Sequence, residues 1–348
     1  MKCVKFLSVS VLIILWFSLV GSAASPLPSA HNITNVTQHK QINGLDCGPA
    51  ALEIIFDFWG TDINQKSIAD VARSSSIGTY TWDMVRTGHF SHLSAAQGSF
   101  FPHDAPTAGF SERPLGYASF SYSSDTFWWP ELKALVAADI PVILLMKYAP
   151  NDDTGHYRVI VGYDENKGEV YFMDPWGRDQ GRVTNPDGTV TWTMTDFKNA
   201  WNYDRYGTPH PYWGAVMMPW SVNVRTSGKP AADSTIRVTA DINYPCPQPF
   251  DCSAYPASNA SAEIILPSYM HVKDGSPKIY IRNLAAGRSI TVSWDVRADT
   301  DASGSVITVL AGGLISDSVP QVFWNGDQVF YPAYYYSDEI GGEASVRL

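Results

Sequence analysis

Charge is scarce in this chain. Asp, Glu, Lys and Arg make up 17% of its 348 residues, against roughly 25% in an average globular protein. The shortfall is mostly of cations: 24 Lys and Arg stand against 34 Asp and Glu, a formal net charge of −10. A chain without a basic face cannot displace counterions from a phosphate backbone, which argues against nucleic-acid binding. Few charges combined with many aromatics, 12 Trp and 18 Tyr among them, exclude a disordered chain or a coiled coil. Long apolar runs are also missing, apart from one at the start. Lys2 and Lys5 lead into a mostly apolar stretch from Phe6 to Val20, followed by the small residues Gly21-Ser22-Ala23-Ala24. This is the pattern of a secretory signal, and it falls short of the ~20 apolar residues that a spanning helix needs. Residues 1–24 are read as a cleaved signal and residues 25–38 as a polar leader. The mature chain is expected outside the cytoplasm, secreted or at the cell surface, with no membrane span. Asn32-Ile33-Thr34, Asn35-Val36-Thr37 and Asn259-Ala260-Ser261 are glycosylation-type triplets that agree with export.

Cysteine is nearly absent as well, and its arithmetic is informative. Of four Cys, Cys3 leaves with the signal. Cys246 and Cys252 bracket a short Pro-Gln-Pro-Phe-Asp loop, and in an oxidising compartment they most simply form a local disulfide. Cys47 is left over, either a buried inert thiol or a reactive one. From Pro49 the chain reads as a helix: Leu52, Ile55, Phe56 and Trp59 recur at helical spacing and Gly60 is a natural stop. Pro49 suits a first helical turn. Cys47 therefore sits at or just before a helix N-terminus, where unpaired N–H groups and the positive end of the dipole favour a thiolate.

A thiolate nucleophile needs a base. His31 and His39 lie in or beside the leader, His210 lies between prolines, and His271 lies in the C-terminal region. His89, His92 and His103 occupy a loop-rich stretch. His89 and His92 could share a helix face, but no Cys or further His is spaced to complete a metal site, so they are read as solvated. His156 differs. It opens the strand-like run His156-Tyr157-Arg158-Val159-Ile160-Val161-Gly162-Tyr163, and after a turn at Asp164–Gly168 a second strand runs from Glu169 to Met173 and ends in Asp174-Pro175-Trp176-Gly177. His156 and Asp174 fall at the same end of this hairpin, where a carboxylate can orient an imidazole.

In this order and in these settings, Gln41, Cys47, His156 and Asp174 resemble the functional set of the papain-like cysteine peptidases of the C39 type, and most closely their secreted C39-like relatives. The likeness rests on Gln41 placed six residues before the Cys, on Asp46-Cys47-Gly48-Pro49-Ala50-Ala51-Leu52, on Gly155-His156-Tyr157 leading into an apolar strand, and on Asp174-Pro175-Trp176-Gly177. Leu132 to Met146 and Asp196-Phe197-Lys198-Asn199-Ala200-Trp201 resemble further segments of the family, so the likeness covers about residues 39–221. It implies Cys47 as nucleophile, His156 as its base and acid, Asp174 as the group orienting the imidazole, and Gln41 with the Cys47 N–H as the oxyanion hole. No cofactor or metal is implied, and the substrate is a peptide or protein. The papain-type box around the nucleophile is absent. The transporter-borne leader clipping of the best-known C39 peptidases cannot be carried over, because the chain has neither a later span nor a phosphate-binding Gly-Lys loop. The same set could serve acyl transfer to an amine, or the fold could be a non-catalytic binding module.

The character of the chain changes near residue 222. Short strands alternate with turns: Ile236–Ile242, Ala262–Leu266, Lys278–Arg282, Ser289–Val296 and Ser305–Leu310. The expectation is an α+β chain, with a papain-like cysteine peptidase domain at 39–221 and an all-β, Ig-like sandwich at 222–348. Residues 25–222 are expected to fold by themselves. Asp299, Asp301 and Asp338-Glu339 lack the spacing of a calcium loop and are read as solvated turns. Tyr334-Tyr335-Tyr336 could meet a glycan or a cell-surface partner, but an ordinary strand is the preferred reading.

Overall fold

The computed structural model describes residues 26–98, 110–177, 184–204, 211–323 and 330–348. The signal, His103 and His210 lie outside these residues. The chain is mixed α and β, with several sheets. Its first part runs β1 (Ala30–Asn32), α1 (Cys47–Phe58), α2 (Gln65–Val71), α3 (Thr81–His89), β2 (Ala95–Gly98), β3 (Ala118–Tyr122), α4 (Trp129–Ala137), β4 (Val142–Ala149), β5 (Asp152–Asp164), β6 (Glu169–Met173), β7 (Thr189–Thr193), α5 (Met194–Trp201) and β8 (Gly214–Met218).

Strands β3, β8, β4, β5, β6 and β7 lie side by side in that order, all antiparallel. β1 takes the place beside β5 beyond the first residue of β4: Val142 pairs with Ile160, and Ala30–Asn32 pair with Asp164–Gly162. The polar leader is thus partly a strand of this sheet. Val142-Ile143-Leu144-Leu145-Met146 is buried throughout, as its unbroken apolar run requires of a strand covered on both faces. Helix α1 packs across β5. It buries Leu52, Ile55 and Phe56 together with Ala51 and Ile54, and it ends at the expected place, with Trp59 as its C-cap and Gly60 in the left-handed region at φ 93°. Trp59 lies beyond the last turn, where its ring N–H donates to the Met217 carbonyl on β8 at 2.7 Å.

The remainder is all β: β9 (Ser221–Ser227), β10 (Thr235–Asn243), β11 (Ala257–Ile265), β12 (Met270–Val272), β13 (Lys278–Leu284), β14 (Ser289–Ala298), β15 (Val306–Val319), β16 (Val322–Phe323), β17 (Phe330–Tyr331) and β18 (Tyr334–Arg347). One sheet has the order β12-β14-β10-β9 and the other β13-β11-β15-β18-β2, with β16 and β17 as a separate pair. Alternate residues are buried along β10 (Ile236, Val238, Ala240, Ile242), so each of its faces has one character. Cys246 and Cys252 are bonded to each other, and Cys47 is a free thiol.

β15 runs well past Leu310. It crosses Gly312-Gly313, which read locally as a break, and pairs along its whole length with β18. The glycines are there for close approach. A Cβ at Gly342 would lie 2.1 Å from the Trp220 carbonyl oxygen, and one at Gly341 would lie 2.1 Å from the Ala311 carbonyl oxygen. Without side chains, β18 lets the start of β9 rest backbone against backbone.

Pairing also runs across the line at residue 222. β2, from the first part, adds to β18, with Ser337 opposite Ala95 and Tyr334 opposite Gly98. Gly116 bridges to Ile340. Arg86 on α3 forms an ion pair with Asp338 on β18 at 3.1 Å, both side chains wholly buried. Asp338 is therefore not a solvated turn residue: it is the carboxylate that balances a buried guanidinium. His89 is likewise buried rather than solvated. Its Nε2–H donates to the Ser119 carbonyl at 2.9 Å, and Nδ1 lies 3.3 Å from the hydroxyl of Tyr336, which donates to Asp317 Oδ2 at 3.4 Å. Burial and the nearby charge of Arg86 pull the His89 pKa down to about 3, so it is neutral. Tyr334 and Tyr336 are buried and only Tyr335 projects outward, as an ordinary strand demands. These contacts join the first part of the chain to the strands that follow residue 222.

Candidate active site

Cys47 is the first residue of α1. The turn before it is held by its own side chains. Asn43 Oδ1 accepts the Leu45 N–H at 2.8 Å, and the Asn43 amide donates to the Asp46 carboxylate. Asp46 also accepts the Ser74 hydroxyl at 2.9 Å. Because its carboxylate is engaged there, Asp46 does not cap the helix, and it leaves the N-terminal N–H groups of α1 to other acceptors. Gly48 allows Thr79 to come close, since a Cβ there would lie 2.9 Å from the Thr79 Cβ.

His156 lies inside β5 rather than at its start. The β4–β5 hairpin begins pairing earlier, with Lys147 opposite Gly155 and Met146 opposite His156, so the strand starts at Asp152. Asp174 follows the last residue of β6, which pairs with Val159. His156 Nε2–H donates to Asp174 Oδ1 at 2.8 Å, and both side chains are buried. Nδ1 is then the nitrogen left to face the Cys47 thiol, with which His156 is hydrogen-bonded.

Asp174 is heavily engaged. Oδ1 also accepts the Trp176 N–H at 2.8 Å, and Oδ2 accepts Arg158 Nε–H at 2.6 Å. Arg158 is wholly buried. Its other nitrogens donate to the carbonyls of Lys147 at 3.1 Å and Tyr148 at 2.8 Å, and its guanidinium lies over the Trp192 ring. Sequence reasoning passed over Arg158. The available signal was its spacing: two residues after His156 on a strand, it shares that residue's face. Gln38 was also passed over. Its amide donates to the Asp174 backbone carbonyl at 2.6 Å, so the leader reaches the site.

Protonation follows from this arrangement. Burial pushes the Cys47 thiol up, but the hydrogen bond to His156, the imidazole's charge and the N–H groups of Tyr157 and Gly48 outweigh it, and the thiol pKa ends below its ordinary value. Burial pulls His156 down, but the Asp174 charge and hydrogen bond overcome that and raise it. Burial would raise Asp174, but Arg158 first and His156 second hold it well below the usual carboxylate range. Opposite shifts on a thiol and an imidazole favour the ion pair, thiolate with imidazolium.

Cys47 opens onto a cleft of about 370 Å³ whose walls come from Gly44-Leu45, from Ser76–Tyr80, and from Gly155 and Tyr157 on β5. Tyr203 covers Gly155 so closely that a Cβ there would lie 2.7 Å from the Tyr203 hydroxyl. Gln41 is tied to the Asp174 loop through its own N–H, which donates to the Pro175 carbonyl at 2.7 Å. Its side-chain amide donates one hydrogen to the Asn43 carbonyl at 2.6 Å.

A cysteine at a helix start, an imidazole beside it and a carboxylate behind the imidazole are the groups that thiol-dependent acyl transfer requires. The chain belongs to the Peptidase_C39 like family, which it matches over residues 31–209. No curated protein matches it. Among solved structures it is similar to the peptidase domain of Streptococcus ComA, a bi-functional ABC transporter involved in a quorum sensing pathway, at 15% identity over 53% of this chain and 98% of that one, with a TM-score of 0.32. It is also similar to xylellain, a cysteine protease from Xylella fastidiosa, at 15% identity over 56% of this chain and 87% of that one, with a TM-score of 0.35.

Proposed function

We propose that this protein is an exported cysteine peptidase, a papain-like α+β unit (39–221) completed by an Ig-like β-sandwich (222–348), which hydrolyses peptide bonds through a thioester on Cys47. The Cys47 thiolate attacks the substrate carbonyl carbon, and the developing oxyanion takes hydrogen bonds from the Cys47 N–H and the Gln41 amide. As the C–N bond breaks, the His156 imidazolium gives its proton to the leaving amine. The neutral imidazole then takes a proton from water, the hydroxide attacks the thioester, and the acid product leaves as the thiolate returns. Asp174 keeps the imidazole oriented with Nδ1 toward the sulfur and stabilises its charge.

The observation that carries this reading is the continuous chain of hydrogen bonds from Cys47 through His156 to Asp174, opening on a cleft. The signal-like sequence of residues 1–24 and the Cys246–Cys252 disulfide support export. The test is a thiol-directed acylating peptide probe on the purified mature chain. Labelling of Cys47 that is lost in His156→Ala, together with release of a peptide fragment by the wild type, is the expected result. A Cys47 that stays unlabelled in a folded chain would retire the enzyme reading in favour of a binding module.

A further inference from the structure

The cleft wall Ser76–Tyr80 is the connection between α2 and α3, and its base is held in an unusual way. Arg73, just before it, sits in the left-handed region at φ 48°. Its guanidinium makes a two-point ion pair with Asp83 in the first turn of α3, Nε to Oδ1 at 2.7 Å and Nη2 to Oδ2 at 3.1 Å. This closes the connection into a loop. The remaining donors reach into the C-terminal region: Nη1–H to the Pro332 carbonyl at 3.1 Å and Nη2–H to the Pro320 carbonyl at 3.3 Å. The rings of Tyr331 and Tyr334 each lie 5.5 Å from the guanidinium carbon. Arg73 and Asp83 are both buried. The loop has two more anchors, and both lead to the site. Ser74 donates to Asp46, the residue before Cys47, and the Thr79 carbonyl accepts the hydroxyl of Tyr157, the residue after His156.

We propose that Arg73 is a positioning residue through which the C-terminal β region sets the substrate-binding wall of the cleft. This rests on the peptidase reading above for its functional consequence, though not for its structural one. A buried ion pair is a weak source of net stability, because desolvation consumes most of the Coulomb gain. What the four hydrogen bonds of Arg73 do supply is geometry: a rigid planar fork fixes the loop base, α3 and two carbonyls of the β region at once. Pro320 follows β15 and Pro332 comes two residues before β18, so both acceptors adjoin the two strands that pair along the C-terminal sheet. The β region is then a part of the cleft rather than an appended module. It acts on substrate binding, whereas the proton-transfer chain from Cys47 to Asp174 does not pass through it.

The test uses the full mature chain. Arg73→Lys keeps the charge but cannot span all four acceptors. Arg73→Met combined with Asp83→Leu removes the pair without orphaning a charge, and covers the case in which the single variant fails to fold. The expected result is a rise in KM of roughly tenfold with kcat changed less than about threefold. Iodoacetamide reactivity of Cys47 should be unchanged, and protection of amides 75–80 from hydrogen exchange should fall by roughly tenfold while α1 keeps its own. Folded variants with unchanged KM and unchanged protection at 75–80 overturn the proposal. So does a fall in kcat at constant KM, which would put Arg73 in the chemical step. If the wild type shows no turnover at all, the peptidase reading fails separately. Hydrogen exchange at 75–80 then still decides whether the β region holds the wall.

Discussion

The guanidinium of Arg158 lies 2.6 Å from the Asp174 carboxylate with both groups out of contact with solvent, so the carboxylate behind His156 is shared between two cations. Arg158 keeps Asp174 ionised and fixes its angle, but it also opposes the imidazolium: its charge lowers the His156 pKa that Asp174 raises. Replacing Arg158 with Met should therefore move the alkaline limb of the kcat/KM profile to higher pH while reducing its height. It should also cost stability of about 3–5 kcal/mol, the usual penalty for stripping a buried pair of one partner. An unmoved limb in a folded variant would show that Arg158 is a packing residue.

The Cys47 thiol should be alkylated by iodoacetamide well below pH 8, because its pKa lies under that of an ordinary thiol. His156→Ala removes the partner that offsets burial, so reactivity should appear only at higher pH and turnover should be lost. Mass spectrometry of the unreduced protein should find one bonded pair, Cys246–Cys252, and one modifiable thiol. Alkylation confined to pH above 8 and identical in His156→Ala would leave Cys47 a structural thiol.

Gln41→Ala should leave alkylation intact and slow acylation by roughly 10²–10³, since an oxyanion donor acts in the transition state. The amide has two hydrogens and gives one to the Asn43 carbonyl, and the proposed mechanism assigns the second to the oxyanion. Single-turnover acylation rates on a peptide ester read this directly, and a wild-type rate removes Gln41 from the site.

The pH dependence of stability has a definite sign in Cys47→Ser, where only His156 and Asp174 titrate at the site. Asp174 is held below its ordinary 3.8, so its contribution is whole above that value and lost as pH falls through the folded pKa. His156 is raised above 6.5, so its contribution is whole below that value and lost as pH rises through the folded pKa. The pair's own contribution is the difference in urea midpoint between Cys47→Ser and Cys47→Ser/His156→Ala, which cancels the opposite pull of buried, neutral His89; it should be greatest between roughly pH 4 and 6.5 and should shrink on the alkaline side. A difference that grows from pH 6 to 9 contradicts the His156–Asp174 pair.

Residues 25–222 expressed alone should be insoluble or unreactive, because β2 loses its sheet and Arg86 keeps a buried charge without Asp338. In the full chain Asp338→Ala should cost about 3–5 kcal/mol in urea unfolding for the same reason. A soluble fragment whose Cys47 reacts at the wild-type rate would show that the first part folds unaided.

Local chemistry along the chain was enough to put Cys47 at the start of α1, to end that helix at Gly60, to pair the strands that carry His156 and Asp174, and to bond Cys246 to Cys252. Each of these depends on neighbours a few residues apart: helical period, a turn between two apolar runs, a short loop between thiols. Tertiary structure alone decided the rest. His89 and Tyr336 are 247 residues apart, and no periodicity in the neighbourhood of His89 announces that a strand so distant will cover it. Asp338 reads as a turn carboxylate until Arg86 stands opposite it, and nothing beside Arg73 in the sequence announces the carbonyls of Pro320 and Pro332. The physical reason is that burial is a property of what packs against a residue. A charge becomes a structural anchor only when a remote segment brings its counter-charge or acceptor, and short-range spacing carries no record of that meeting.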